Sequence, residues 1–499
     1  MRKLTYYFSD EFIARIFGKL SDRTYLIAIL LFGILVRGRQ YLTNRSFWLD
    51  EAFLANNFKQ RDFMQLLEPL DYSQVAPIGF LWVEKLMGNL FGVNEFSLRL
   101  VPFLASIAAI YLLYDLGRVL LSKKWGLLIA FAFTLPLTLT YFSSELKQYM
   151  TDLSIALLLF WYYYRFIFQN KQDTKAIITL GILGAICVWF SNITPILLLS
   201  IGLALWLPLL KAFNSKRLFS ILTSNALWLV SFLPYYFNFI KNNPHREGMV
   251  NYWSSAFLPH QPKEAYEWIV ATFEELFRNT ASHYEMTFLA LGLFIVGVLS
   301  VLIRKTKWHY LYLFLPILIH LQLSYFRVYP FTGRLILYLI PLIIFFEFVG
   351  IEYISGFFKT KKAVVILFSL ALLSLAFLRT PNYFVHPMMG EDIKPVLQYV
   401  KEQKEQNDIV YAYSGAHAAF KFYKDKYFTT EDSCIVGISS GDYYNKFIKE
   451  FEGLKGRVWV VFSHMNPPQG LEYINSEISK SKQLDYFEAE GAKVYLISK

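Results

Sequence analysis

Cysteine is nearly missing from this chain: there are two in 499 residues, Cys187 inside an apolar run and Cys434 in a polar tail. That pair argues against an intramolecular disulfide, offers no metal-ligand spacing, and leaves the redox compartment undetermined. Charge is scarce too. Asp, Glu, Lys and Arg make up 17% of the side chains against 55% hydrophobic, an imbalance that excludes a water-soluble chain of this length. A Gly-rich phosphate loop is absent, YSGAH at 413–417 being too thin to count. Internal repeats, low-complexity segments and a cleavable signal peptide are also absent. The net charge of +11 invites a nucleic-acid reading, but much of the Lys and Arg lies in short loops between apolar runs, where it orients helices; no nucleic-acid partner is expected.

What remains is oil in long pieces. Apolar stretches near spanning length fall at about 24–40, 97–117, 125–142, 150–168, 176–192, 195–211, 218–240, 286–303, 308–325, 335–354 and 362–378. The expected fold is therefore a polytopic α-helical membrane protein of about eleven spans. PIGFLWVEKLMGNLFG, residues 77–92, is short, opens on Pro77 and carries Glu84 and Lys85 centrally, so spanning would bury two charges. If it lies flat, the basic clusters around Lys123, Lys171, Lys216, Lys305 and Lys361 all share the side of the basic N-terminus. The positive-inside rule favours that arrangement, with the N-terminus inside and the tail outside. Asp50 and Glu51, the SSELKQY element at 143–149, the loop 241–285 and Arg334 then gather on the outer face. Helical spacing predicts surface-lying helices within residues 1–20 and, on Tyr266, Ile269, Val270, Phe273, Leu276 and Phe277, in the loop 241–285. Aromatics at 18% of the chain suit membrane interfaces or the walls of a lipid groove.

Past Arg379 helix and strand signals alternate: EDIKPVLQYVKEQKEQ, AHAAFKFYKDK and LEYINSEISK as helices, DIVYAYS, GRVWVVFS and AKVYLIS as strands. The expected division is a transmembrane domain over 1–379 and a small extracytoplasmic α/β domain over 380–499.

The boundary residues each have a plain reading. Asp50 in WLDEAFLANN could cap a helix, with Glu51 favourable in its first turn. Glu145 and Lys147 could simply flank a span, and Arg334 in YPFTGRLILYLIP could anchor its helix in headgroups. Against this, a carboxylate at the rim of an apolar cavity is suited to act as a general base.

Taken in order, an apolar first helix, a DE pair, a Pro-led aromatic stretch followed by FG and SLRL, an S-x-E-x-[KR]-x-Y element and a late Arg before a Pro-containing helix resemble the GT-C glycosyltransferases. Over residues 20–355 the chain looks like the branch holding protein O-mannosyltransferases and bacterial aminoarabinose transferases. The resemblance implies transfer of a sugar from a polyprenyl-phosphate donor to a protein, lipid or glycan acceptor outside the cell membrane. It places the catalytic carboxylate at Asp50. Displacing a lipid phosphate needs one base and nearby cations more than an acid. Glu51 is then the electrostatic or hydrogen-bonding neighbour, Lys147 and Arg334 phosphate clamps, and Glu145, Gln148 and Tyr149 parts of the substrate site. Attack opposite the departing phosphate predicts inversion. The pattern departs at Val75 and Ala76, where an acidic and basic pair is expected before Pro77, and at Lys147, a point charge where Arg is commoner. Asp50, Glu51 and Glu145 are of the type that suits a divalent metal ion, but no DxD-like spacing reinforces one and none is assigned. The rival reading, a transporter or flippase of lipid-linked sugars, expects ionisable groups at the midplane; Glu347 and His320 are the in-span exceptions.

Overall fold

The computed structural model describes residues 21–170, 173–281, 284–437, 449–465 and 469–499; the surface helix expected within 1–20 lies outside them. The chain divides into two compact units. One runs to Tyr41 and adds Ala76–Val83 and Leu100–His386; the other comprises Leu42–Val75, Glu84–Arg99 and Pro387–Lys499. The second unit thus joins Pro387–Lys499 to two stretches from the N-terminal hundred residues, where the expected division drew a single boundary at 379/380.

The first unit is helical. Among the described residues five helices are long and apolar enough to cross a membrane: Asp22–Leu42, Glu95–Leu120, Ser215–Lys241, Gly333–Ser355 and Lys361–Val385. The other expected spans are shorter or interrupted helices. The 125–142 run breaks at Leu135 and Pro136 into Lys123–Thr134 and Leu137–Phe142, and the 150–168 run widens into a π-helix over Tyr163–Phe168. The Pro-led stretch forms Ile78–Phe91, 14 residues, about 21 Å and too short to span. Helix Pro262–Ala281 covers the predicted amphipathic segment. Its apolar face divides: Leu276 and Phe277 are buried, Tyr266 and Val270 exposed. Helices Thr287–Ile303 and Ile340–Ser355 cross at facing glycines. A Cβ on Gly297 would overlap the Phe346 carbonyl, and one on Gly350 that of Leu293, so small residues set the approach here, as they do between membrane helices.

The second unit is built on a five-stranded sheet in the order β2-β1-β3-β5-β4, with β1 Ile409–Ala412, β2 Cys434–Val436, β3 Arg457–Ser463, β4 Lys482–Ala489 and β5 Ala492–Ser498. β1 runs parallel to β2 and β3, whereas β5 is antiparallel to both β3 and β4. The sheet is apolar on both sides. Tyr411, Val458, Val460, Phe462 and Ile497 pack with Phe451, Ile474 and Ile478, while helix Ile393–Gln403 buries Ile393, Val396, Leu397 and Val400 against β3, β4 and β5. The three predicted strands are present. β2 and β4 are additions, both at sheet edges.

Candidate active site

Asp50 lies in helix Leu49–Gln60, whose preceding residue Trp48 is extended and provides no side-chain cap. Asp50 does not fill that role: it sits in the first turn, where an acid is favourable to the helix dipole. The orphan N–H of Leu49 instead donates to Glu391 Oε2 at 3.1 Å, across 342 residues of chain. Asp50 is half-buried.

Its neighbour Glu51 is 0% exposed. Arg99 Nε donates to Glu51 Oε1 at 2.8 Å, and its terminal nitrogen reaches Oε2 at 2.6 Å. Arg45 donates to Oε2 at 3.0 Å. Arg99 also donates to the carbonyls of Arg45 and Ser46 and stacks its guanidinium over Phe47. One buried carboxylate therefore knots the 45–51 segment to the start of helix Glu95–Leu120. The same segment is fastened elsewhere in its unit: the backbone N–H and hydroxyl of Ser46 both donate to Asp392, and Tyr423 accepts from the Phe47 N–H while donating to Glu95. Lys394 reaches Glu95 at 2.7 Å. Asn56 donates to the Ala418 carbonyl.

Glu145, Lys147, Gln148, Tyr149 and Arg334 belong to the first unit. Glu145, Lys147, Gln148 and Tyr149 are all buried, within a turn that leads into helix Tyr149–Tyr162. The structure brings two of the expected residues together: the Arg334 guanidinium lies 5.7 Å from the Tyr149 ring centre and 5.6 Å from that of Trp253, cation–π distances. Sequence reasoning passed over Asp152, one turn beyond Gln148. It is buried beside Ser191, with Tyr235, Tyr329 and Tyr338 around it. His320 joins this polar cluster through Tyr338, 3.0 Å from Nδ1. An acid inside an apparent span is a functional signal by default, and that rule could have found it.

Among the described residues no group of three His, Cys, Asp or Glu side chains is arranged to hold a metal ion. Glu51, one of the three acids suited to a divalent ion by type, already has both oxygens on arginines.

Residues 75–236 match the family model described as dolichyl-phosphate-mannose-protein mannosyltransferase. No curated protein matches the sequence. Among solved structures, ArnT from Cupriavidus metallidurans in the apo state shares the fold with a TM-score of 0.56 at 10% identity, covering 95% of this chain and 98% of that one. The same enzyme bound to undecaprenyl phosphate gives 0.56 at 11%, covering 95% and 97%. The Archaeoglobus fulgidus oligosaccharyltransferase, in a complex with Zn and sulfate, gives 0.55 at 13%, covering 94% and 72%. The chain shares its fold with these membrane glycosyltransferase structures over nearly its whole length, and over residues 75–236 its sequence is similar to the mannosyltransferase family.

Proposed function

We propose that this chain transfers a sugar, with inversion, from a polyprenyl-phosphate donor to an acceptor hydroxyl on the outer face of the cell membrane, a bacterial cytoplasmic membrane with the N-terminus inside. Asp50 is the general base. It takes the acceptor proton as that oxygen bonds to the anomeric carbon, and the bond from that carbon to the phosphate oxygen breaks with its electron pair, releasing polyprenyl phosphate. Lys147 and Arg334 neutralise the departing phosphate, Tyr149 holds the Arg334 guanidinium, and Glu145 and Gln148 shape the substrate site. Glu51 positions the base without touching substrate. The reading draws on ArnT of the same fold, solved with undecaprenyl phosphate, and on the family description naming a dolichyl-phosphate sugar.

The observation that carries it is the contrast between adjacent acids: Glu51 is sealed between two arginines, whereas Asp50 keeps solvent access. A base must reach its substrate, and only the second of these environments allows that. The test uses the full chain in lipid vesicles with labelled undecaprenyl-phosphate mannose and membranes from a deletion strain as acceptor. Asp50→Asn is expected to fold normally and lose at least a hundredfold in transfer. A folded Asp50→Asn protein with undiminished transfer rejects the assignment.

A further inference from the structure

In the five-stranded sheet the chain leaves β1 for β2 on one side, then returns to β3 on the other. The carboxyl ends of strands that part in this way flank the crevice where open α/β sheets hold their ligands. Two histidines stand there, His417 after β1 and His464 after β3. His464 is committed to the fold: its Nδ1 lies 2.6 Å from Glu391 Oε1, and the other oxygen of that carboxylate accepts the Leu49 N–H. His417 is committed at one nitrogen only. Its Nδ1 is 2.6 Å from the Ser414 carbonyl, which can only accept, so the proton sits on Nδ1 and Nε2 carries a lone pair. That Nε2 is buried without a hydrogen-bond partner among the described residues, in a side chain 6% exposed. Burial keeps the His417 pKa below the ordinary histidine value and Lys421 adds to this, although the Ser414 bond works the other way.

Two rings from the 42–75 stretch of the same unit close on this imidazole: Phe53 at 5.4 Å and Tyr72 at 5.6 Å between ring centres. Phe53 and Tyr72 stack on each other at 4.7 Å, and both are half-buried. Lys421, one turn along helix His417–Tyr427, donates to the Tyr72 hydroxyl at 3.1 Å, which uses one of its three N–H groups. Tyr72 reaches this position against its backbone. It and Ser73 are both left-handed, φ 61° and 52°, a conformation uncommon for residues with a Cβ and one that gathers at ligand sites where the surroundings enforce it. Asn57 accepts the Asp71 N–H and Arg61 pairs with the Asp71 carboxylate at 2.9 Å, holding the loop in place.

We propose that Phe53, Tyr72, His417 and Lys421 form the subsite that seats a sugar ring of a glycan acceptor; this deepens the reading above and rests on Asp50 being the base. The chemistry selects a sugar. A lone pair on Nε2 asks for a hydroxyl that donates, the Lys421 ammonium for one that accepts, and the aromatic faces for the positively polarised C–H bonds of a pyranose. A cationic ligand is opposed by Lys421 and by the positive end of helix His417–Tyr427, and an anion by the imidazole lone pair. The acceptor is the sugar concerned because Phe53 follows Asp50 by three residues in helix Leu49–Gln60, a spacing that sets the two side chains on one face with Cβ atoms about 5–6 Å apart.

Saturation-transfer NMR on the full chain in lipid nanodiscs measures sugar binding without turnover. The probes are oligosaccharides released from the envelope of the deletion strain and, separately, undecaprenyl-phosphate mannose. Tyr72→Gly suits the left-handed backbone and removes the ring; His417→Asn keeps an N–H for the Ser414 carbonyl and removes Nε2. Both variants are expected to melt near wild type and to lower saturation of the oligosaccharide ring protons by about fivefold, with the signals of the donor unchanged. Oligosaccharides saturated equally by wild type and a folded Tyr72→Gly or His417→Asn chain, or not saturated by wild type at all, overturn the proposal. A loss confined to the mannose of the donor overturns it as well and assigns the cluster to the donor sugar. An Asp50→Asn protein that keeps full transfer discards the base and leaves the oligosaccharide result standing, so the two failures are told apart.

Discussion

Replacing Glu51 with Gln removes a single negative charge from between two guanidiniums. Arg45, Arg99 and Glu51 are 1%, 2% and 0% exposed, so solvent screening gives little relief. At the observed 2.6 and 3.0 Å, each pair has a direct attraction of about 6 kcal/mol at an effective dielectric near 20. Most of that offsets the cost of taking three charges out of water, and the loss on removing one partner of such a pair is about 3–5 kcal/mol. Glu51→Gln should therefore lower the thermal unfolding midpoint of the second unit by on the order of 10 °C, followed by intrinsic fluorescence of the purified chain in lipid nanodiscs. Transfer should fall in proportion to the folded fraction. Adding Arg45→Met, which takes away one stranded cation, should recover part of the midpoint. A Glu51→Gln protein that melts like wild type yet has lost all transfer would refute the reasoning, because Glu51 would then be acting on the chemistry and not on the fold.

Two further outcomes follow from contacts already described. Because Glu391 raises the His464 pKa in the folded chain, that pair's contribution to stability is complete below about pH 6.5, the unfolded histidine value, and fades as pH rises through the higher folded value. Thermal midpoints should fall across that window in wild type and lose this component in Glu391→Gln; parallel curves would show the pair to be inert. Gly297→Val forces helices Thr287–Ile303 and Ile340–Ser355 apart at the Phe346 carbonyl, and should cut the yield of folded chain severalfold by size-exclusion chromatography, whereas Gly292→Val, with open space around the new Cβ, should not.

The membrane helices were readable because a spanning run is a property of neighbouring residues: twenty or so apolar side chains need no distant partner to be recognised. The same holds for β1, β3 and β5, whose apolar runs are buried on both faces. β4 was not readable, since Lys482–Ala489 is an exposed edge strand with polar residues through its length and a bulge between Gln483 and Asp485. β2, three half-buried residues at the other edge, offers no period to detect. At the candidate site the local signal is silent about what the carboxylates touch. WLDE reads as a capped helix start, but the group that meets the Leu49 N–H is Glu391, and the partners that bury Glu51 are six residues upstream and 48 downstream. No periodicity encodes such pairings.

The two acids of the DE pair consequently answer different physical demands. A base that must exchange a proton with an incoming hydroxyl needs mobility and solvent, which work against a fixed position; a buried ion pair gives position at the expense of access. Placing the two acids side by side in one helical turn meets both requirements. Glu51 points into Arg45 and Arg99 and fixes the backbone, and Asp50, carried on that same backbone, keeps its access. The segment needs anchors on more than one side to hold this geometry, and Asp392, Glu391, Tyr423 and Ala418 provide them from the C-terminal part of the same unit. On that account the α/β domain is part of what makes the 42–75 segment a defined structure. If Asp50 is the base proposed above, losing that domain removes what fixes the helix carrying it.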